Sequence, residues 1–226
     1  MLNIVKIASD FIRDSGVDSL PIGMDELTQY AAKSGYDLIP YSAARQMLDA
    51  FAITDYKDKH ALTFRTADTH VIFYDDGLPY SDKLFAIAHE IGHIVLRHAY
   101  TGTTACNRYD TARELEADAF ARQLLAPLCV LKRCHVGNVR DVERLTLLTG
   151  PRAEQIFGWY QSRRDTIGDA DDAITSLYAD AISRYQSRKR RRLAGVVASV
   201  FVVMMLVIGI CGNIYYLSLI HISEPT

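Results

Sequence analysis

Leu84-Phe85-Ala86-Ile87-Ala88-His89-Glu90-Ile91-Gly92-His93-Ile94-Val95-Leu96 is the stretch whose reading decides how the rest of the chain is arranged. Apart from His89, Glu90 and His93, every residue in it is apolar or glycine, which predicts a helix packed on several sides. Ionisable side chains inside such a helix need a partner, and a metal ion is the natural one. Residues four apart share a helix face, so the imidazoles of His89 and His93 can converge on one ion. Zinc accepts imidazole nitrogen at about 2.0–2.1 Å. Glu90 follows the first histidine; it can reach an attacking water without binding the metal and take its proton as a peptide carbonyl is attacked.

A catalytic zinc needs a third protein ligand and one open position. A third histidine six residues beyond His93 is excluded, because that position is Ala99, and the glycine that goes with such an arrangement is replaced by Leu96. His98 is off that register and reads as a helix-end histidine favoured by the dipole there. The alternative is a glutamate on the next helix, expected over residues 111–126. Glu114 and Asp118 are four apart, hence on one face, so Glu114 can ligate the metal while Asp118 accepts a hydrogen bond from a ligand imidazole. Glu116 is the competing ligand, but it lies on the opposite side of that helix from Glu114 and Asp118, so Glu114 is favoured and Glu116 is read as a solvated or salt-bridged side chain. Ala117 and Ala121 are small enough to let the two helices approach closely.

Around this centre the periodicity predicts further elements. Ile4, Ile7, Ala8, Phe11 and Ile12 mark a first helix ended by Gly16; a second covers 24–33, and a third 42–51. Residues 61–65 and 70–74 are rich in β-branched and aromatic residues and read as an antiparallel pair of strands. The helix that carries the histidines is expected over 81–98, followed by a loop over 99–110. Short helices are expected at 139–148 and 152–163, separated by Gly150-Pro151. Arg152, Arg163 and Arg164 suggest a DNA-reading helix pair, but Ile156, Phe157, Trp159 and Tyr160 favour a packed one.

Together these motifs resemble the ImmA/IrrE family of metallo-endopeptidases. The resemblance rests on Ala88-His89-Glu90-Ile91-Gly92-His93, on Glu114-Leu115-Glu116-Ala117-Asp118 with Phe120, Leu125 and Pro127, on Leu20-Pro21-Ile22 and on residues 71–74. It implies an α+β, mostly helical gluzincin-like domain with a small antiparallel sheet, over residues 1–165. It further implies Zn2+ as cofactor and, as substrate, a helix-turn-helix transcriptional repressor of a mobile element or stress response. Many members carry asparagine where Asp118 stands. In gluzincin-like peptidases an edge strand holds extended substrate beside the zinc, so strand 71–74 has two readings, substrate edge or plain sheet packing. Tyr74, Tyr80 and Tyr100 are all candidates for an oxyanion donor.

The chain's net charge of −2 gives no global case for nucleic-acid binding, and no direct nucleic-acid partner is expected. Its four cysteines, Cys106, Cys129, Cys134 and Cys211, form no CxxC pair, and Cys134-His135 are too divergent on one element to read as a metal pair. Asn3, Lys6, Ser9 and Asp10 interrupt the start too early for a signal-peptide core, so a reduced compartment is expected. Residues 166–192 form a polar linker ending in Arg188-Lys189-Arg190-Arg191-Arg192, and 193–217 carry no charge, long enough for the roughly 20 residues of a membrane span. The basic run stays cytoplasmic under the positive-inside rule. A single-pass protein of a bacterial cell membrane with a cytoplasmic catalytic domain is therefore expected. Residues 218–226 resemble a translated sequencing-adapter tail and are set apart. Two other readings fit the motifs: a membrane quality-control metalloprotease, though its spans would flank the zinc helix, and a non-enzymatic zinc-containing sensor, for which Glu90 would have no use.

Overall fold

The computed structural model describes residues 4–98, 110–165 and 172–222, with side chains through Cys211. Most of the expected 99–110 loop, with Tyr100 and Cys106, lies outside the described residues, as do 166–171 of the linker and 223–226 of the tail.

The apolar spacing at the start builds α1 (Ile4–Ser15), which buries Ala8 and Ile12. Gly16 ends it at φ +74°, a conformation glycine adopts without strain. The second helix, α2 (Met24–Lys33), is closed at its start by Glu26, whose carboxylate accepts hydrogen bonds from the Gly23 N–H at 2.8 Å and the Ser19 hydroxyl at 2.7 Å. Next come β1 (Asp37–Pro40), α3 (Tyr41–Ala50), β2 (Ala61–Arg65) and β3 (His70–Tyr74). The histidine-bearing stretch forms α4 (Tyr80–Val95), and α5 (Thr111–Leu125) follows. Four further helices complete the order: α6 (Leu128–Arg133), α7 (Val139–Leu145), α8 (Gly150–Gln161) and α9 (Asp172–Leu177), before the long α10 (Ala179–Ile222).

The expectation of a wholly antiparallel sheet is corrected. The sheet has three strands in the order β1-β3-β2; β2 and β3 are antiparallel, but β1 pairs parallel with β3, from Asp37 opposite Val71 to Pro40 opposite Tyr74. Strand β1 escaped the sequence reading because four residues that begin with Asp37 and end with Pro40 carry no strand signal; only the pairing with β3 makes them a strand. Its presence also corrects the edge-strand reading of residues 71–74. β3 is the middle strand, and β2 is an edge. Helices α6 and α9 were likewise too short to announce themselves.

Alternation places Leu62, Phe64, Val71 and Phe73 on one face of the sheet, in a cluster with Tyr41, Ala44 and Leu48 of α3. Thr63 and Ile72, opposite each other across the ladder, face α4. On its other side α4 meets α5 at Gly92. A Cβ there would lie 3.1 Å from the Ala117 carbonyl oxygen and 3.2 Å from Phe120 Cβ. Ala117 and Ala121 are fully buried beneath it, so the small residues anticipated from the sequence do bring the helices together. α7 and α8 pack as a pair, burying Val142, Leu145, Ile156 and Trp159. Arg152 is engaged with α4, donating to Asp82 at 2.7 Å with its guanidinium 4.2 Å above the Phe85 ring.

The chain divides into two units, Met1–Ile182 and Ser183–Thr226. In the first, Tyr178 is fully buried, its hydroxyl 3.2 Å from that of Tyr30. The second is α10 from Ser183 onward. Its segment 193–211 carries no charge, and Val196, Phe201, Met204 and Ile208 are all exposed; the helix is long and apolar enough to cross a membrane.

Gly92→Ala tests the helix contact. Alanine gains about 1 kcal/mol of helix propensity over glycine, but forcing a methyl against a backbone carbonyl costs about 1–3 kcal/mol. A lower denaturation midpoint is expected; an unchanged or raised midpoint would show that α4 and α5 separate freely.

Candidate metal centre

His89 and His93 sit one turn apart on α4, their Nε2 atoms 3.0 Å from each other. Glu114 projects from the first turn of α5, whose start is capped by Asp110 accepting the Ala112 N–H at 3.1 Å. One Glu114 oxygen is 3.2 Å from His89 Nε2 and the other 3.5 Å from His93 Nε2. One ligand atom from each of the three residues lies within 4.8 Å of the others, and among the described residues this is the group that could hold a metal ion. The separations suit a tetrahedral ion: bonds of about 2.0–2.1 Å set neighbouring ligand atoms about 3.3 Å apart.

Asp118, one turn beyond Glu114, has an oxygen 2.9 Å from His89 Nδ1. With the proton on Nδ1 donated to that carboxylate, the lone pair of His89 is left on Nε2, aimed at Glu114 and His93. Electron-rich atoms meeting at about 3 Å repel unless a proton or cation lies between them, so the donor set fits a metal. Arg122 donates to the other oxygen of Asp118 at 2.9 Å. Burial resists a charged Asp118, but the His89 hydrogen bond, with His89 and Arg122 nearby, holds its pKa below the usual range. Burial also works against a protonated His89, and is outweighed by Asp118, Glu90 and Glu114, which move its pKa up. His93 goes the other way, to about 3, through burial and the neighbouring His89 and His98, which keeps its ring neutral.

Glu90 points to the sheet. Its carboxylate accepts a 2.7 Å hydrogen bond from the Thr63 hydroxyl on β2. Burial raises its pKa, against the opposing pull of His89 and the Thr63 hydrogen bonds. A carboxylate held beside the metal group, yet outside it, is placed to accept and return a proton.

The structure therefore brings His89, Glu90, His93, Glu114 and Asp118 together. Three contributors were missed from the sequence. Thr63 was counted among the β-branched residues of a strand; a hydroxyl between Leu62 and Phe64 was the available signal, and only the structure shows it buried. Glu116 is salt-bridged, one of the two roles read for it, and the partner the sequence did not show is His98, whose Nε2 is 3.2 Å from its carboxylate. His98, in turn, has Nδ1 2.8 Å from His93 Nδ1. Of the tyrosines, Tyr80 accepts the Met24 N–H at 3.4 Å, Tyr74 is half-buried on β3, and Tyr100 lies outside the described residues.

The family model of the IrrE N-terminal-like domain, a peptidase family, matches residues 38–155, from β1 to α8. The chain belongs to this family. It is thereby a metallopeptidase of the ImmA/IrrE type, and the match takes in His89, Glu90, His93, Glu114 and Asp118. No curated protein and no solved structure matches the chain.

Zinc at about 100 times its dissociation constant should stabilise the full chain by about 2.7 kcal/mol. Thermal unfolding in detergent reads this as a rise in midpoint that a chelator reverses. Glu114→Ala should abolish the rise; a rise of wild-type size in Glu114→Ala would remove that residue from the centre.

Proposed function

We propose that this chain is a zinc-dependent, gluzincin-like endopeptidase that cuts a cytoplasmic regulatory protein, with a helix-turn-helix repressor of a mobile element or stress response as its target class. The observation that carries the proposal is the convergence of the His89, His93 and Glu114 ligand atoms, with Glu90 held beside them on Thr63. Zinc bound there supplies Lewis acidity, polarising the scissile carbonyl and making a water acidic. The protein's part is positional. Asp118 keeps the His89 lone pair on Nε2, and Thr63 orients Glu90. Glu90 accepts the proton of the attacking water and returns it to the leaving amine.

Strand β2 supports an extended substrate. Its hairpin register alternates, and the Thr66 N–H to Thr69 carbonyl and Asp75 N–H to His60 carbonyl bonds mark the paired positions. Ala61, Thr63 and Arg65 are then the residues that turn their backbone groups away from β3, toward the open edge. A peptide added along that edge runs past the residue that holds Glu90.

The exposed apolar segment of α10 favours attachment to a membrane, since so long an uncovered apolar surface is costly in water. The basic run at 188–192 supports a cytoplasmic catalytic domain in a bacterial cell. A purely structural metal centre is disfavoured because it has no use for an orienting contact to Glu90.

The full chain in detergent, incubated with zinc and a helix-turn-helix repressor encoded beside it, should yield one discrete cut by mass spectrometry. Glu90→Gln should retain the metal and lose about 10²–10⁴-fold in rate; cutting at the wild-type rate by Glu90→Gln would refute the base. Thr63→Val should also keep the metal while lowering kcat, by roughly the 10- to 100-fold that a hydrogen bond to a charged group is worth. An unchanged kcat would show that Glu90 needs no support from β2.

A further inference from the structure

The two histidines of the centre are not supported alike. Asp118 reaches His89 directly, whereas the Nδ1 of His93 meets another imidazole, that of His98, at 2.8 Å. His98 arrives there through the way α4 ends. Leu96 caps the helix, and Arg97 takes φ +55°, a left-handed position usually given to glycine. The Arg97 N–H then bonds the Ile94 carbonyl at 3.1 Å, and the His98 N–H bonds the His93 carbonyl at 3.0 Å. This paired-bond turn folds the chain back, so that the His98 ring lies edge-on to the His93 ring with centroids 4.9 Å apart. The helix accepts a strained residue at 97, and the result is that residue 98 returns to the metal centre.

The proton positions along this contact are dictated by the far end. Glu116 as a carboxylate only accepts hydrogen bonds, so His98 Nε2, 3.2 Å away, must carry the proton. A neutral His98 then presents a lone pair on Nδ1. That lone pair requires the proton of His93 to sit on Nδ1, which leaves His93 Nε2 as the unprotonated atom facing His89 and Glu114. The reverse assignment would set a lone pair of His98 against the Glu116 carboxylate. With His98 neutral, one direction satisfies all three groups, and it is the one that readies His93 to ligate.

We propose that His98 and Glu116 are a positioning pair that sets the tautomer and ring orientation of His93. Each histidine of the metal centre is then held by a carboxylate from α5, His89 by Asp118 directly and His93 by Glu116 through an intervening imidazole. Glu116 and Asp118 point to different sides of α5, which is why a single face of that helix does not serve both. His98 itself is not a ligand, because its Nδ1 lone pair is spent on His93. The inference rests on the metal-centre reading and adds two residues to it.

The test is zinc affinity of the full chain in detergent, by competition with a chromophoric chelator, together with the visible spectrum of the cobalt-substituted protein. His98→Ala should weaken zinc binding on the order of 10–100-fold in protein whose metal-free form still folds. Glu116→Ala should weaken it in the same direction. His98→Gln, whose amide offers an acceptor to His93 and a donor to Glu116, should restore most of the loss. Wild-type zinc affinity in His98→Ala or, should that variant not fold, in Glu116→Ala, would overturn the proposal. So would a cobalt spectrum showing that His98→Ala has lost a nitrogen ligand. A wild-type chain that binds no metal would overturn the metal-centre reading itself, and this proposal with it.

Discussion

Two consecutive helices must lie close enough for a side chain of one to meet a side chain of the other at about 3 Å. The contact between α4 and α5 at Gly92 makes that possible. Gly92 has no side chain to hold the helices apart, and Ala117 and Ala121 add little bulk beneath it. At this spacing the first turn of α5 delivers Glu114 to the imidazoles of α4, and the second delivers Asp118 behind His89. A larger residue at position 92 would displace ligand and orienting carboxylate together, because both ride on α5.

The rest of the fold serves to make that contact rigid. α1 packs against α5, and Phe11 meets the Phe120 ring that lies on Gly92. The sheet closes the opposite side of α4, where Thr63 and Ile72 are the buried pair on the facing side. The centre is consequently held from three directions. α4 carries the histidines, α5 carries the carboxylates that aim them, and β2 steadies Glu90. Each acidic residue in the group has a partner of its own, which is what allows so many titratable side chains to share a half-buried site.

The chain's membership of the IrrE N-terminal-like family agrees with this geometry, and the resemblance was already visible in the residues around His89 and Glu114. The sheet was less legible. A strand such as β2 or β3 declares itself by β-branched and aromatic residues, and both appear at the bounds the sequence implies. β1 has no such signature, so neither the parallel pairing nor the middle position of β3 was accessible from the sequence. The same limit applied to Thr63, whose polarity was visible but whose partner lies 27 residues away in sequence.

The sequence by itself determined which side chains can share a metal: helical spacing places His89 and His93 on one face, and the same rule pairs Glu114 with Asp118, because the periodicity of a helix is local and independent of its surroundings. It also determined an apolar C-terminal helix, since length and composition suffice for that. Only the tertiary structure decided what Glu116 and His98 do. The direction of a side chain on one helix says nothing of what stands opposite. The turn that returns His98 to His93 depends on a backbone conformation at Arg97 that residue type disfavours. Contacts between elements distant in sequence arise from packing, and packing is a property of the whole molecule.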